Sequence, residues 1–424
     1  MIRSHLLPAG TLAFALAGVA GAQQVNASAI ATALSGAYTA RATGFNAVAW
    51  NPANLGMPGN PGFSLTIAPF QSNGALHPID ISRFAPYGST IAKSIPRADR
   101  LQWLLDVAAD SGEHGTADFG VTEFGLSVGS IGFTVSSNAV SDLSLPPDFI
   151  EAVFFGNRGR DSTRHDLNFA GTKIRSAGYS TAALSFPIPS LHLVPLPNFT
   201  LGATAKAIMG HGVVVGEDPG STIDTVFNLS VPAIASKDSL HGMNAGKGFG
   251  LDLGAAWTIP GFRFGVSLQN VVNTFKWDTT ALELAPAIAQ FNYNGLKDTI
   301  EHHPWSQAPQ SLRDRVKAQK FAPVLAGGVA FDWIPTMTIS ADFRQQVGES
   351  IEVGPQTVMS AGAEWRIIPF IPLRGGVSAM TGGYGASGGF GIHVLGLETS
   401  AGGYLRHRNG GTESGFAISL LSIR

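Results

Sequence analysis

Apolar and polar residues alternate with a period of two in many segments of the chain after residue 60. In residues 249–257 one phase carries Phe, Leu, Leu, Ala and Trp, while the other carries Gly, Asp, Gly and Ala. Residues 262–269 repeat this pattern after a short Pro-Gly break, which predicts a hairpin with a tight turn. Residues 337–344 and 359–366 alternate in the same way, and their charged residues share one phase. The pattern predicts antiparallel strands that have one apolar face and one small or polar face.

The connections between these segments alternate between short and long. Short connections are expected near residues 129–130, 188–198, 259–261, 333–336, 368–371 and 396–398. The longer connections are expected at residues 71–116, 138–174, 211–245, 270–320, 346–355, 381–387 and 406–413. Short turns at one end and long loops at the other are typical of outer-membrane barrels. The breaks give about fourteen strands, and twelve or sixteen are also compatible with them.

Alternation is expected in both a transmembrane β-barrel and a soluble β-sandwich, but the two folds differ in the composition of the polar face. A sheet that faces water carries many charged side chains, whereas this chain has 13% charged residues and fills the polar phase with Gly, Ala and Ser. A barrel in lipid instead turns its apolar phase outward. We therefore predict an all-β fold: a transmembrane outer-membrane β-barrel of about fourteen antiparallel strands.

The first residues resemble an export signal. Arg3 and His5 precede an apolar run, and Ala20-Gly21-Ala22 offers a small-residue cleavage site, so residues 1–22 are expected to be a removable signal peptide. The chain has no cysteine, which excludes disulfides and thiolate metal sites. Its formal charge of −2 gives no electrostatic basis for nucleic-acid binding. We expect outer-membrane localisation in a Gram-negative-type bacterium and no cofactor.

Residues 23–60 are rich in small residues and precede the first strand. Fourteen strands spaced about 4.8 Å apart and tilted about 40° enclose a cylinder roughly 28 Å wide, which needs a filling. We expect residues 23–60 to form a short helical hatch inside residues 61–424, the barrel; the alternative is that they lie loosely beneath it. The expected hatch residues are Tyr38, Trp50, Asn51, Pro52 and Asn54.

Two long loops contain apolar residues at helical spacing. Leu101, Leu104 and Leu105 fall on one helical face in the first of them. Residues 279–291 show the same spacing in the last long loop. Both segments are expected to be helical, and their apolar faces either cover the barrel rim or form a docking surface for a ligand or another protein.

Charged residues of both signs fall on the inward phase of several strands. The candidate polar residues of the lumen are Lys206, Asp252, Arg263, Asp342, Arg344, Glu364 and Arg366. Because charges in a barrel wall need partners, cross-strand pairs are expected, such as Arg263 with Asp252 or Arg344 with Glu364. They either brace the wall or hold the hatch and define a polar path.

Catalytic and metal-binding patterns are weak. Residues 385–389 match G-x-S-x-G, but they are expected in a glycine-rich loop that enters a strand and not in a strand-to-helix elbow. His302 and His303 are adjacent and have no third ligand at a suitable spacing. We predict no enzymatic activity and no metal site.

The turn at residues 50–56, Trp-Asn-Pro-Ala-Asn-Leu-Gly, follows Ser-Gly-Ala-Tyr-Thr-Ala at 35–40. With these motifs the chain resembles the FadL-type superfamily of outer-membrane barrels and, more closely, PorV-type relatives. The run Gly-Lys-Gly-Phe-Gly-Leu-Asp-Leu-Gly at 246–254 is similar too, and residues 63–157 resemble an uncharacterised branch of the group. The resemblance implies a helical hatch before a fourteen-stranded barrel.

Two functions follow from that resemblance. The first is passive uptake of hydrophobic small molecules through a hatch-plugged barrel. The second is a non-transporting, PorV-like barrel that anchors or shuttles secreted proteins at the cell surface. Outer-membrane lipid is the expected partner in both, together with either a hydrophobic small molecule or a secreted protein.

Overall fold

A computed structural model describes most of the chain. It covers residues 27–87, 95–156, 160–161, 167–188, 198–223, 227–237, 244–292, 295–409 and 411–423. The predicted signal peptide at residues 1–22 lies outside these ranges.

Fourteen antiparallel strands close into one barrel, as the alternation predicts. The first strand, β1, has two segments, Phe63–Ile67 and Phe70–His77. The others are β2 (Glu113–Val128), β3 (Ile131–Leu145), β4 (Lys173–Ile188), β5 (Thr200–Glu217), β6 (Gly246–Ile259), β7 (Phe262–Asn273), β8 (Val324–Ile334), β9 (Met337–Gln346), β10 (Thr357–Ile368), β11 (Ile371–Met380), β12 (Gly383–Val394), β13 (Leu397–Arg408) and β14 (Gly411–Ile423). The barrel closes where β1 pairs antiparallel with β14, with Leu65 opposite Ile423 and Phe70 opposite Ile418.

The two faces of the sheet match the two phases of the sequence. In β6 the side chain of Phe249 is 71% exposed, whereas Gly250, Asp252 and Gly254 are buried. The apolar phase therefore forms the outer surface of the barrel. The small and polar phase forms the inner wall, as a barrel in lipid requires.

Short turns lie where the sequence predicts them at residues 129–130, between β2 and β3, and at 260–261, between β6 and β7. Most of the connection predicted at residues 188–198 lies outside the described residues. The long loops differ from the prediction because several strands extend into them. Residues 71–77, 113–116, 383–387 and 406–408, which the sequence places in connections, belong to paired strands. Strands continue to pair beyond the membrane wherever their backbones have partners. The side chains of these strand ends are polar, so the sequence pattern there resembles that of a loop.

Short helices lie at the N-terminus and in the loops. Ala29–Ala33 (α1) and Ala47–Trp50 (α2) precede the barrel, together with two 3₁₀ turns, Gly44–Asn46 and Pro52–Gly56. The helices of the long loops are α3 (Arg97–Ala109), α4 (Pro147–Phe155) and α5 (Gln310–Ala318).

No helix in the described part of the chain is long and apolar enough to cross a membrane.

The helix predicted at residues 279–291 is wrong. This stretch has a 3₁₀ turn at Thr279–Ala281, a strand at Leu282–Leu284 and the start of a strand at Ala287–Asn292. Ala287–Asn292 pairs with Phe227–Val231 and Gly295–Ile300 in a second, five-stranded sheet. Distant backbone partners therefore override a local spacing that fits either structure.

Candidate functional site

The N-terminal segment from residue 27 to residue 56 fills the end of the barrel at which the short turns lie; we call it the hatch. Its side chains are almost all buried, among them Tyr38, Trp50, Asn51 and Asn54, each at most 5% exposed. The rings of Tyr38 and Trp50 meet edge to face, with their centroids 5.5 Å apart. The five residues that the sequence singled out for the hatch are thus placed together inside the barrel.

The two asparagines explain the conformation of the Asn-Pro-Ala-Asn turn. The side-chain oxygen of Asn51 accepts from the Ala53 amide at 3.2 Å and caps the 3₁₀ turn that begins at Pro52. Its amide group donates to the carbonyl of Ala255 on β6 at 3.1 Å. Asn54 donates to the carbonyl oxygens of Thr39 and Ala42 at 3.0 and 2.9 Å, which ties the turn to the preceding segment.

Charged wall residues hold the hatch. One oxygen of the Asp342 carboxylate accepts from the backbone amides of Tyr38 and Thr39 at 3.1 and 2.7 Å. Glu364 pairs with Arg41 of the hatch at 3.2 Å. Asp342 and Glu364 were predicted as lumen residues. Arg41 was missed, although it is the only cation between residues 27 and 60.

Neutral polar side chains of the wall add hydrogen bonds to carbonyl oxygens of the hatch. Gln269, Thr204 and Ser340 donate to Ala49, Val48 and Ala37 at 2.7, 3.1 and 2.8 Å. The sequence did not single these three out. The sequence pattern could have identified them, because each lies on the small and polar phase of its strand.

The G-x-S-x-G pattern at residues 385–389 belongs to this set of contacts. The hydroxyl of Ser387 donates to the Ala33 carbonyl at 2.8 Å and lies 2.7 Å from the hydroxyl of Ser35. Ser387 is located within β12, so the expected position in a loop is wrong. In this strand the serine anchors the hatch.

Glycines of the inner wall allow the hatch backbone to come close. A Cβ atom at Gly376 would lie 2.6 Å from the carbonyl carbon of Leu34, and one at Gly265 would lie 2.9 Å from the Thr39 carbonyl oxygen. Such distances do not occur between real Cβ atoms and backbone, so a side chain there would move the hatch. Other wall glycines that meet the hatch in this way are Gly202, Gly254, Gly362, Gly389 and Gly402.

The two cross-strand ion pairs predicted for the lumen are wrong. Arg263 pairs with Asp332 at 2.8 Å instead of Asp252, because the register of the hairpin places Arg263 opposite Thr258. Asp252 pairs instead with Lys206 at 2.6 Å.

Arg344 and Glu364 also lie at different heights in the barrel, opposite Val358 and Thr338 respectively. Arg344 donates to the Gln269 side chain at 3.0 Å. Glu364 binds Arg374 at 2.7 Å and Arg366 at 2.8 Å, in addition to Arg41. Pairing of charges was expected, but the partners depend on a register that alternation does not define.

An apolar layer fills the lumen towards the long loops; we call it the upper cluster. Phe321 contacts Tyr179 and Phe275, with ring centroids 4.8 and 5.3 Å away, and Phe275 meets Trp277 at 5.1 Å. Helix α5 contributes Leu312 and Val316, both fully buried. Its other members are Val140, Ala177, Ile208, Val213, Val215, Ile234, Ala245, Leu282, Ala308 and Ile351.

Polar groups border the upper cluster. The hydroxyl of Tyr179 donates to Glu352, which lies in the loop between β9 and β10, at 3.5 Å. Burial raises the pKa of Glu352 above its ordinary value, although the positive charges of Arg344 and Lys206 oppose this shift. The barrel interior thus contains a hatch held by polar contacts, a buried charged layer and an apolar layer.

The predicted apolar helix at residues 101–108 is present in α3. Leu104 is buried with Trp103 and Val107, Leu101 is half-buried, and Leu105 is 57% exposed. The assignment of Leu105 to the packed face is therefore wrong: the true face includes Trp103. This group packs against α4 as a cluster distinct from the upper cluster, which supports the interpretation as a cover for the rim.

The described residues contain no group of three histidine or acidic side chains that could hold a metal ion. His302 and His303 each pair with a carboxylate, Glu283 at 2.8 Å and Glu301 at 3.1 Å.

A closed fourteen-stranded barrel with an internal N-terminal plug defines the class of protein. The sequence matches a family of unknown function, DUF5723, over residues 49–326, and the chain belongs to this family. No curated protein matches it.

Solved structures share the fold. The crystal structure of the toluene transporter TodX of P. putida has a TM-score of 0.54 and 11% identity, and the match covers 95% of this chain and 99% of that one. A TodX mutant, deltaS2S3, described as a monoaromatic hydrocarbon channel, matches with the same TM-score and identity over 94% and 99% of the two chains. The toluene transporter TbuX of Ralstonia pickettii has a TM-score of 0.49 and 14% identity over 97% and 99%. The two TodX matches confirm the resemblance to FadL-type barrels for the fold.

Proposed function

We propose that this protein is an outer-membrane barrel that takes up small hydrophobic molecules, without covalent chemistry, past a hatch in its lumen. The barrel shares its fold with structures of a toluene transporter and a monoaromatic hydrocarbon channel. An apolar outer surface and short turns at one end are what insertion in the outer membrane requires.

The observation that carries the proposal is the upper cluster. Pores for water-soluble molecules have polar interiors, but here Tyr179, Phe275, Trp277 and Phe321 meet inside the barrel. Aromatic and aliphatic walls bind apolar molecules, because the solute and the wall both leave water. An apolar layer above a plug therefore favours apolar substrates over sugars or ions.

The hatch has the properties of a movable plug. It is attached to the wall by hydrogen bonds that its amides donate to Asp342 and by others that its carbonyl oxygens accept from Gln269, Thr204, Ser340 and Ser387. Each bond from a neutral side chain contributes about 1 kcal/mol net, and each bond to the Asp342 carboxylate about 1.5–3 kcal/mol. A plug held in this way can shift without unfolding the barrel.

The test is uptake of radiolabelled toluene by bacterial cells that produce the protein in their outer membrane. Phe321→Asn places a polar group in the upper cluster and is expected to reduce protein-dependent uptake about tenfold, the cost of about 1.4 kcal/mol for burying one poorly satisfied amide. Leu105→Asn, on the exposed side of α3, is the matched control and should leave uptake unchanged. Uptake equal to that of cells without the protein would contradict the proposal.

A second function, anchoring of secreted proteins, is favoured by the external five-stranded sheet. Its strand Gly295–Ile300 pairs on one side only, with Ala287–Asn292, so its other backbone edge is open among the described residues. Open edges accept an added strand from a partner. Mass spectrometry of the barrel purified from its native membrane distinguishes the two functions: a bound apolar molecule supports uptake, and one secreted protein at stoichiometric amount supports anchoring.

A further inference from the structure

Two adjoining cavities lie at the short-turn end of the barrel, between the hatch and the wall. Their volumes are about 490 and 200 Å³, and both are lined by Arg41, Arg263, Glu364 and Arg366. They lie at the opposite end of the lumen from the upper cluster. We call this space the arginine chamber.

Positive charge is in excess in the arginine chamber. Four arginines line it, and the carboxylates there are Asp332, Glu364 and Glu398, with His393 as a further titratable group. Three of the arginines bind the carboxylate of Glu364, Arg41 at 3.2 Å, Arg366 at 2.8 Å and Arg374 at 2.7 Å, and Arg374 also binds Glu398 at 3.0 Å. Two carboxylates cannot satisfy three guanidinium groups, each of which carries five N–H donors.

Donor groups of these arginines lack acceptors. The side chain of Arg41 is 8% exposed and that of Arg374 is 3% exposed, and in each the Nη1 group has no hydrogen-bond partner among the described residues. The buried Nε group of Arg263 also has no hydrogen-bond partner among the described residues. Buried donors without acceptors are costly, by about 1–3 kcal/mol each and more in charged groups.

We propose that the arginine chamber binds a small oxyanion, a phosphate or carboxylate group, between Arg41 of the hatch and Arg263 and Arg366 of the wall. The planar guanidinium fork matches the oxygen geometry of both groups. The Nη1 donor of Arg41 is free for the anion while Nη2 stays on Glu364, so no existing ion pair has to break. The bound anion bridges the hatch and the wall and holds the hatch in place.

The experiment is calorimetric titration of the purified full-length barrel in detergent with inorganic phosphate, and separately with acetate, at constant ionic strength in chloride. Saturable binding of phosphate identifies a phosphate site, and saturable binding of acetate alone identifies a carboxylate site. Either result supports the proposal. The absence of saturable binding of both anions overturns it.

Variants locate the site. Arg366→Gln and Arg263→Gln are expected to weaken binding at least tenfold, and both side chains are partly exposed, 59% and 34%, so the barrel should fold. Lys317→Gln, on the exposed face of α5 at the other end, is the charge-matched control and should bind as the wild type does. Unchanged binding in both arginine variants would overturn the proposal.

A second readout tests the bridge to the hatch. Hydrogen exchange of the amides at residues 37–42 should slow when the anion is bound in the wild type, and not in Arg41→Gln. The inference does not depend on toluene uptake. Failure of uptake with intact anion binding would reject only the proposed function. Toluene uptake without anion binding would reject only this site.

Discussion

At the scale of single residues, the hatch depends on a few side chains that meet its backbone. Asp342 is buried and directs one oxygen at two consecutive amides, those of Tyr38 and Thr39. Hydrogen bonds to an ionised acceptor contribute about 1.5–3 kcal/mol each, roughly twice the value for neutral pairs. This carboxylate is therefore a stronger attachment of the middle of the hatch than any one of the neutral hydrogen bonds.

Asp342→Asn keeps an acceptor oxygen but removes the charge. We expect the hatch to lose about 1 kcal/mol of attachment, so that the amides at residues 37–42 exchange roughly fivefold faster in hydrogen-exchange mass spectrometry. Asp332→Asn is the control, because Asp332 is half exposed and pairs with Arg263. Equal exchange in Asp342→Asn and the wild type would show that Asp342 does not retain the hatch.

Gly376→Val tests the close approach of the wall to the hatch. A Cβ atom there would lie 2.6 Å from the Leu34 carbonyl carbon, so the hatch must move, while valine itself suits a strand. We expect several-fold faster proteolysis of the hatch with unchanged circular dichroism. Gly327→Ala, where nothing lies within 4 Å of the added Cβ, should behave like the wild type. A hatch as resistant to proteolysis in Gly376→Val as in the wild type would contradict the close packing of Gly376 against Leu34.

At the scale of elements, the loop between β9 and β10 introduces a buried carboxylate into the lumen. Burial raises the pKa of Glu352 from its ordinary value of 4.5, so the folded state binds this proton more tightly than the unfolded state does. The resulting stability is fully present below the unfolded pKa and is lost as pH rises through the folded one. Glu352 therefore destabilises the loop at alkaline pH.

Glu352→Gln should remove that dependence. We expect the variant to unfold at a higher temperature than the wild type at pH 9 and at the same temperature at pH 4, measured by tryptophan fluorescence during heating. Glu349→Gln, an exposed neighbour in the same loop, should show no such difference. A variant that is less stable than the wild type at pH 9 would indicate that the negative charge of Glu352 stabilises the fold.

Elements differ in how far the sequence predicts them. The strand at residues 249–257 is predictable, because its alternation arises from its own two faces. Residues 279–291 are not, because their pairing partner, Phe227–Val231, lies far away in the chain. The partners of Arg263 and Glu364 depend on strand register, which a slip of one residue changes completely. Predicting the contacts of Arg41 also requires the position of the hatch inside the barrel.

At the scale of the whole molecule, the lumen has two barriers in series. The hatch closes the short-turn end, and the upper cluster narrows the end towards the long loops. The total resistance of two barriers in series is set by the larger one. Ions that pass the hatch therefore still meet an apolar constriction, which water and ions enter at high cost.

Deletion of residues 27–56 should thus raise single-channel conductance in planar bilayers only modestly. The same deletion combined with Phe275→Ala and Phe321→Ala should raise it by about tenfold more, because both constrictions are then open. The two alanine substitutions with the hatch in place are the control and should stay near the wild-type conductance. A full-size pore from the hatch deletion alone would show that the upper cluster is no barrier.

The pairing of β1 with β14 joins the two ends of the barrel wall, and the hatch directly precedes β1. Its hydrogen-bond partners lie on strands from β1 to β12, including Ser64 on β1, Thr204 on β5 and Ser387 on β12. In the closed barrel, most of the wall therefore surrounds the leading segment. We therefore expect assembly to end with closure of the seam between β1 and β14. The barrel then closes around the hatch, which is the N-terminal part of the same chain.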